Sequence, residues 1–315
     1  MDPDNDEVVF DAPEHLRIYK SGRIDRFHRP VLVAAGVDDD DSGVASKDVV
    51  IDSVTGLSVR LFLPKLQGPS AKKLPVLVYF HGGGFIIESA RSATYHNYLT
   101  SLAAAAGVLA VSVDYRLAPE HRLPAAYDDC WTALRWAASA RDDDWLAEHG
   151  DSSRVFVAGD SAGGNIVHNV LMRASSADNA SRIEGAVLLH PFFGGSTAIE
   201  GEPERAVVIT AKVWAFACPD AAGGADDPRI NPTAPGAAAG LESLGCERLL
   251  VCAAAKDWLV ARDRAYYDAV AASAWPGSAA WLESEGVGHV FFLMKPECEN
   301  AKRLMDRIVA FIAGS

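Results

Sequence analysis

From about residue 74 onward the chain alternates between short apolar runs and longer mixed stretches. The runs at 74–80, 108–113, 154–158, 186–189, 249–255 and 279–283 predict strands. Between and after them, 93–106, 125–140, 162–174, 260–273 and 296–312 predict helices. Repeated strand–helix alternation builds a mostly parallel sheet covered on both faces, the α/β class. Two earlier segments, 49–52 and 57–63, predict an antiparallel start. Residues 1–47 and 192–235 do not fit the alternation. Asp38-Asp39-Asp40-Asp41 reads as a solvated acidic loop, and 221–240, rich in Ala, Gly, Pro and Asp, reads as loop. No internal repeat is present, and the whole of 1–315 is read as a single domain.

Composition narrows the class. Hydrophobic residues make up 49% of the 315, enough for a sizeable core. A net charge of −13 speaks against nucleic acid and against anionic membrane surfaces as partners. No apolar run approaches the roughly 18 residues of a membrane-spanning helix. Met1-Asp2-Pro3-Asp4-Asn5-Asp6 lacks the basic and apolar regions of a secretory signal, which predicts a cytoplasmic protein. The five cysteines are odd in number and never in C-x-x-C spacing, so reduced thiols and no metal site are expected.

Chemistry enters with Gly159-Asp160-Ser161-Ala162-Gly163. It follows the apolar run Arg154-Val155-Phe156-Val157-Ala158 and opens a predicted helix, the setting of a nucleophile elbow that lifts a serine hydroxyl above a strand end. Gly159 and Gly163 suit it because a Cβ there would collide with the neighbouring strand and helix. Asp160 should point away from the serine and is not taken as its acid partner. Eighty residues upstream, His81-Gly82-Gly83-Gly84-Phe85 follows the strand Leu77-Val78-Tyr79-Phe80. Three consecutive glycines leave backbone N–H groups free to face the charge that develops on an attacked carbonyl. Gly83, Gly84 and Ala162 are the candidate oxyanion donors, with His81 and Gly82 supporting the turn.

An activated serine needs a base, and the base needs a carboxylate to orient it. In this fold class the order along the chain is serine, acid, histidine. Of the nine histidines only His190 and His289 lie beyond the helix after Ser161. His289 sits in the loop Gly286-Val287-Gly288-His289-Val290 after the 279–283 strand and is chosen. His190, at the end of 186–189, is placed at the site's edge, and His168, on the helix, is read as packing. Asp257, in the Lys256-Asp257 pair that closes the run 249–255, is the chosen acid. Its rival Asp263 stands between Arg262 and Arg264 on the next helix and reads as a solvated charge or surface ion pair.

These segments, with Asp114-Tyr115-Arg116-Leu117-Ala118-Pro119-Glu120-His121, resemble the plant carboxylesterases of the hormone-sensitive-lipase group in the α/β-hydrolase superfamily. Lys212 to Asp220 and Asp227 to Pro232 resemble the branch of the 2-hydroxyisoflavanone dehydratases and tuliposide-converting enzymes. The resemblance implies an α/β-hydrolase fold in which 1–47 and 192–235 join as a helical cap, with Val213, Trp214, Phe216 and Ala217 as an apolar wall or as cap-to-core packing. Arg116 and Glu120 are expected to brace the loop behind the oxyanion turn, and the role of Glu88 is left open. The function expected is a serine carboxylesterase acting on a small-molecule ester through Ser161, His289 and Asp257, with no cofactor and no obligate protein partner. A dehydratase using the same site is one alternative. A non-catalytic receptor of the gibberellin-receptor kind is the other, though those relatives replace the histidine that stands here as His289.

Overall fold

The apolar runs become the interior of one eight-stranded sheet. A computed structural model describes residues 6–12, 15–36, 43–65, 72–139, 142–176 and 182–314. Its strands are β1 (Val8–Ala12), β2 (Leu16–Tyr19), β3 (Ile24–Arg26), β4 (Val44–Asp52), β5 (Leu57–Pro64), β6 (Leu74–Phe80), β7 (Leu109–Asp114), β8 (Gly150–Asp160), β9 (Ile183–Leu189), β10 (Arg248–Ala254) and β11 (Ser278–Ser284). Its helices are α1 (Ala93–Ala106), α2 (Ala125–Ser139), α3 (Asp144–His149), α4 (Ala162–Ser176), α5 (Glu204–Ala217), α6 (Val260–Ala272), α7 (Phe291–Met294) and α8 (Glu299–Ala313).

The large sheet runs β4-β5-β7-β6-β8-β9-β10-β11. β4, β5 and β7 pair antiparallel, and every pairing from β7 to β11 is parallel. Parallel strands require crossovers, and the crossover helices cover both faces, so the interior strands are apolar on each side. In β6, Val76, Val78 and Phe80 join the core beneath α2 and α4, while Leu77 and Tyr79 join the core beneath α1 and α8. This common direction gathers the carboxyl ends of β6, β8, β9 and β10 along one edge, where such folds place their ligands.

Helix and strand positions follow the sequence expectation closely, with extensions. β4 starts at Val44, five positions before the expected 49, and the short helices α3 and α7 were not expected. Turns and two short 3-10 helices, Gly224–Asp226 and Ala238–Ser243, occupy the expected loop at 221–240. Asp38 to Asp41 lies outside the described residues. All five cysteines are free thiols. No helix among the described residues is long and apolar enough to cross a membrane.

The expectation of a helical cap needs correction at its N-terminal half. Residues 204–217 do form a helix, but β1, β2 and β3 form a separate antiparallel sheet. Period-two alternation explains it: Leu16 and Ile18 alternate with Arg17 and Tyr19, and Arg17 pairs across the strands with Asp11. This sheet contacts α5 through the Phe10 and Phe216 rings, stacked at 4.3 Å.

Candidate active site

Ser161 occupies the single residue between the end of β8 and the start of α4, with φ at +52°. A non-glycine residue in the left-handed region costs about 1–3 kcal/mol and persists only where its surroundings impose it. Here the Ser161 N–H donates to the Leu189 carbonyl (2.9 Å), and its own carbonyl accepts from Phe192 (2.8 Å). A Cβ on Gly163 would overlap the Phe80 carbonyl, and one on Gly159 would strike the Gly163 backbone, so both flanking glycines are obligatory.

The histidine and the acid arrive from the far side. His289 Nε2 lies 2.9 Å from Ser161 Oγ, and Nδ1 lies 2.6 Å from Asp257 Oδ2. The Asp257 side chain is fully buried, and its other oxygen accepts the Leu259 N–H at 3.0 Å. With Asp257 accepting from Nδ1–H, the Nε2 lone pair faces the serine hydroxyl.

Asp263 departs from the solvated charge expected of it. It is completely buried, neither oxygen has a partner among the described residues, and burial, with the Asp257 charge adding to it, pushes its pKa well above the carboxylate range. Its arginine neighbours turn elsewhere, Arg262 to Glu202 and Arg264 to Glu283. His168 packs as expected, neutral because burial pulls its pKa down to about 3, with Nδ1 3.1 Å from the Tyr266 hydroxyl. His190 directly follows β9 and makes no bond to Ser161; its Nδ1 is 3.7 Å from Asp257 Oδ2.

Across Ser161, the glycine turn after β6 is left-handed at Gly83 (φ +100°) and Gly84 (φ +62°). A Cβ on Gly83 would run into the Ile87 backbone. No acceptor among the described residues takes the N–H of Gly83 or Gly84, and Ala162 opens α4, where the first N–H groups of a helix are unpaired. Gly82 is different, because its N–H is already held by the Tyr95 hydroxyl (2.7 Å) and Asp160 (3.1 Å). His81 is buried behind the turn, stacked on Tyr115 at 4.2 Å, with Nδ1 2.8 Å from the Gly82 carbonyl.

Asp160 turns away from the serine, toward this loop. Its carboxylate also accepts from the hydroxyls of Tyr79 and Tyr95, each at 2.8 Å, and burial pushes its pKa up to about 6. Sequence reasoning missed this tie between elbow and glycine turn; the acidic residue inside the elbow was its only signal. The brace behind the turn also differs from expectation. Arg116 pairs with the buried Asp129, whereas Glu120 pairs with Arg26, which also donates to the carbonyls of Ile86 (2.6 Å) and Ala118 (2.8 Å).

A cavity of about 340 Å³ opens on Ser161, His289, Gly83 and Gly84. Ile86, Ile87, Phe192, Val213, Trp258 and Leu293 supply apolar wall. Of the four wall candidates on α5 only Val213 lines it, joined by Ile209 one turn earlier. Trp214 and Ala217 are buried in the core, and Phe216 stacks on Phe10.

His190, Asp257 and His289 bring one possible metal-ligating atom each within 4.8 Å of one another. Two ligands of a tetrahedral zinc ion, each about 2.0–2.1 Å from it, stand roughly 3.3 Å apart. The 2.6 Å separation between Asp257 and His289 fits a shared proton instead.

A profile of the α/β-hydrolase fold matches residues 77–293. The chain belongs to the α/β-hydrolase family. It falls in the hormone-sensitive-lipase-like group and is an esterase-type hydrolase. It is 49% identical to tuliposide A-converting enzyme 1, chloroplastic, of Tulipa gesneriana, over 98% of this chain and 79% of that one. It is 43% identical to 2-hydroxyisoflavanone dehydratase of Glycyrrhiza echinata, over 97% and 96%. Among solved structures, a hyperthermophilic esterase from Pyrobaculum calidifontis superposes with a TM-score of 0.70 at 29% identity, covering 85% of this chain and 84% of that one. The tulip α/β-hydrolase is described as chloroplastic, so the cytoplasmic expectation drawn from the first six residues has no counterpart in that relative.

Proposed function

We propose that this α/β-hydrolase cleaves compact, uncharged carboxylic esters through a serine acyl-enzyme. The observation that carries the reading is the continuous hydrogen-bonded chain from Ser161 through His289 to Asp257, at 2.9 and 2.6 Å. Ser161 Oγ attacks the ester carbonyl carbon as His289 Nε2 takes the hydroxyl proton. The carbonyl oxygen becomes an oxyanion within reach of the N–H groups of Gly83, Gly84 and Ala162, each such donor being worth about 2.7–4 kcal/mol in the transition state. Collapse of the intermediate breaks the C–O bond to the alcohol, which leaves with the proton returned by His289. A water molecule then gives its proton to the same imidazole, attacks the acyl carbon and releases the acid, regenerating the serine.

The cavity supports the proposed substrate class. At about 340 Å³ and walled largely by apolar side chains, it suits a small neutral acyl group better than a long lipid chain. In this reading α5 and the β1–β3 sheet act as the cap above the sheet edge. One specific observation favours a second reading: the identity to a dehydratase along nearly the whole of both chains. There the same base and oxyanion donors would assist proton removal and loss of hydroxide from a 2-hydroxyisoflavanone. Turnover of p-nitrophenyl esters from acetyl to decanoyl, run beside a 2-hydroxyisoflavanone and with Ser161→Ala as control, separates the two. Efficiency should peak between acetyl and butyryl and vanish in the control. A peak at ten carbons would overturn the compact-acyl reading, and dehydration without ester cleavage would overturn the esterase reading.

A further inference from the structure

His190 stands one residue past the end of β9, with its backbone left-handed at φ +48°. Its N–H donates to the Cys252 carbonyl on β10 at 2.7 Å, which fixes the residue to the neighbouring strand. The ring is fully buried, 5.8 Å from the His289 ring between centroids, and packed by Phe291 and Phe292. Burial pulls its pKa down to about 3, so the ring is neutral and one nitrogen keeps a lone pair. That nitrogen is Nδ1, which accepts the Val290 backbone N–H at 2.9 Å. The proton therefore sits on Nε2, which has no partner among the described residues. The 3.7 Å from Nδ1 to Asp257 Oδ2 is too long for a hydrogen bond.

Val290 follows His289 directly, is itself left-handed at φ +44°, and precedes α7. Two residues in this unfavourable backbone region are thus locked to each other by one hydrogen bond, and the imidazole that faces Ser161 is carried by the adjoining residue. A phenylalanine or leucine would fill the same apolar space without burying an unpaired N–H, a group that folded proteins seldom leave unsatisfied. What the imidazole adds is the Nδ1 acceptor.

We propose that His190 is a positioning residue: its Nδ1 clamps the Val290 N–H and so holds His289 between Ser161 and Asp257. The clamp rests on geometry alone, and its kinetic consequence rests on the esterase reading above. His190→Phe keeps the volume and removes the acceptor, whereas His190→Asn can place an amide oxygen near the Nδ1 position. With p-nitrophenyl acetate and the full chain, His190→Phe should lower kcat about a hundredfold with KM changed less than about twofold, the scale expected when a catalytic group is displaced by about 1 Å. His190→Asn should recover at least about tenfold of that loss. A purely structural role would lower the melting temperature without this division between kcat and KM and without rescue. Wild-type kcat in a folded His190→Phe, or an Asn variant as slow as Phe, would overturn the proposal. Nitrogen-15 NMR of the wild-type imidazoles decides the matter should His190→Phe not fold: the Nε2–H tautomer of His190 at pH 7 supports the clamp, and the Nδ1–H tautomer overturns it. Wild-type protein that cleaves no ester would overturn the esterase reading instead, while the tautomer would still test the clamp.

Discussion

Ser161 stands between two loops that both use left-handed backbone, one over residues 81–88 and one over 286–290. The glycine loop has four such residues, Gly83, Gly84, Phe85 and Glu88, and is anchored from several directions. Tyr95 and Asp160 hold Gly82, Tyr115 holds the His81 carbonyl, Arg26 holds Ile86, His28 meets Glu88 at 2.9 Å, and the Phe85 carbonyl accepts from Ala118. The histidine loop has Gly286 and Val290. Beyond Asp257 and Ser161 on His289, its ties to residues outside α7 are the Lys256 N–H to the Val287 carbonyl and the His190 ring to the Val290 N–H. The difference teaches where each loop is vulnerable. Many shared ties make the glycine loop tolerant of losing any one, while the histidine loop depends on a few groups near the imidazole.

The largest effects should therefore come from the base side. His289→Ala should lower ester kcat by about 10⁵–10⁶-fold, the scale seen when a catalytic histidine is removed. Asp257→Asn should cost about 10⁴-fold, because the amide favours the wrong imidazole tautomer. Asp263→Asn is the contrast: it replaces a neutral buried carboxyl by a near-isostere, and steady-state kinetics should stay close to wild type. Loss at 263 comparable to that at 257 would mean that the acid has been misassigned.

On the glycine side, Gly83→Ala should lower kcat by about 10²–10³-fold, as loss of one oxyanion donor does. The cause is local, since φ +100° and the Ile87 backbone leave no room for a Cβ. Wild-type kcat in Gly83→Ala would remove Gly83 from the oxyanion side.

Asp160 sharpens the comparison through stability. Its folded pKa, raised to about 6 by burial against an ordinary 3.8, means that the native state holds this proton more tightly than the unfolded chain. Its contribution is thus fully present below the unfolded value and fades as pH rises through about 6, a change of about 3 kcal/mol. Denaturant titrations from pH 4 to 7 should show that component in wild type and lack it in Asp160→Asn. Identical pH dependences would contradict the assignment.

The smallest effect belongs to Arg26→Met. It removes charged hydrogen bonds to two carbonyls and to Glu120, so unfolding free energy should fall by about 1–3 kcal/mol while kcat stays near wild type. A large fall in kcat would show that the glycine loop depends on one tie after all.

How much of this was legible in the sequence follows the same division. Ser161, Asp257 and His289 each sit beyond a strand visible as an apolar run, so the glycine-flanked serine motif, chain order and strand ends together pointed to them. The β1–β3 sheet was missed because its strands are only five, four and three residues long and none of their residues joins either buried core. Asp263 was misread from its arginine neighbours, although Leu259 at the helix start, Tyr266 and Val270 stand four, three and seven positions away on the same buried side. That spacing was the available signal. The partnership of Arg26 with Glu120 spans 94 residues and leaves no local pattern, so only the fold reveals it. His190 was placed at the site's edge by its strand end, but its hydrogen bond to Val290 depends on two left-handed residues that no composition encodes.

The central claim is that Ser161 is a nucleophile activated by His289. Treating the folded protein with an organophosphate ester and mapping the adduct by peptide mass spectrometry tests it most directly. One phosphoryl group per chain should appear on Ser161, and none should appear there in His289→Ala over the same interval. Labelling at another residue, or none on Ser161 in protein that is demonstrably folded, would contradict the account.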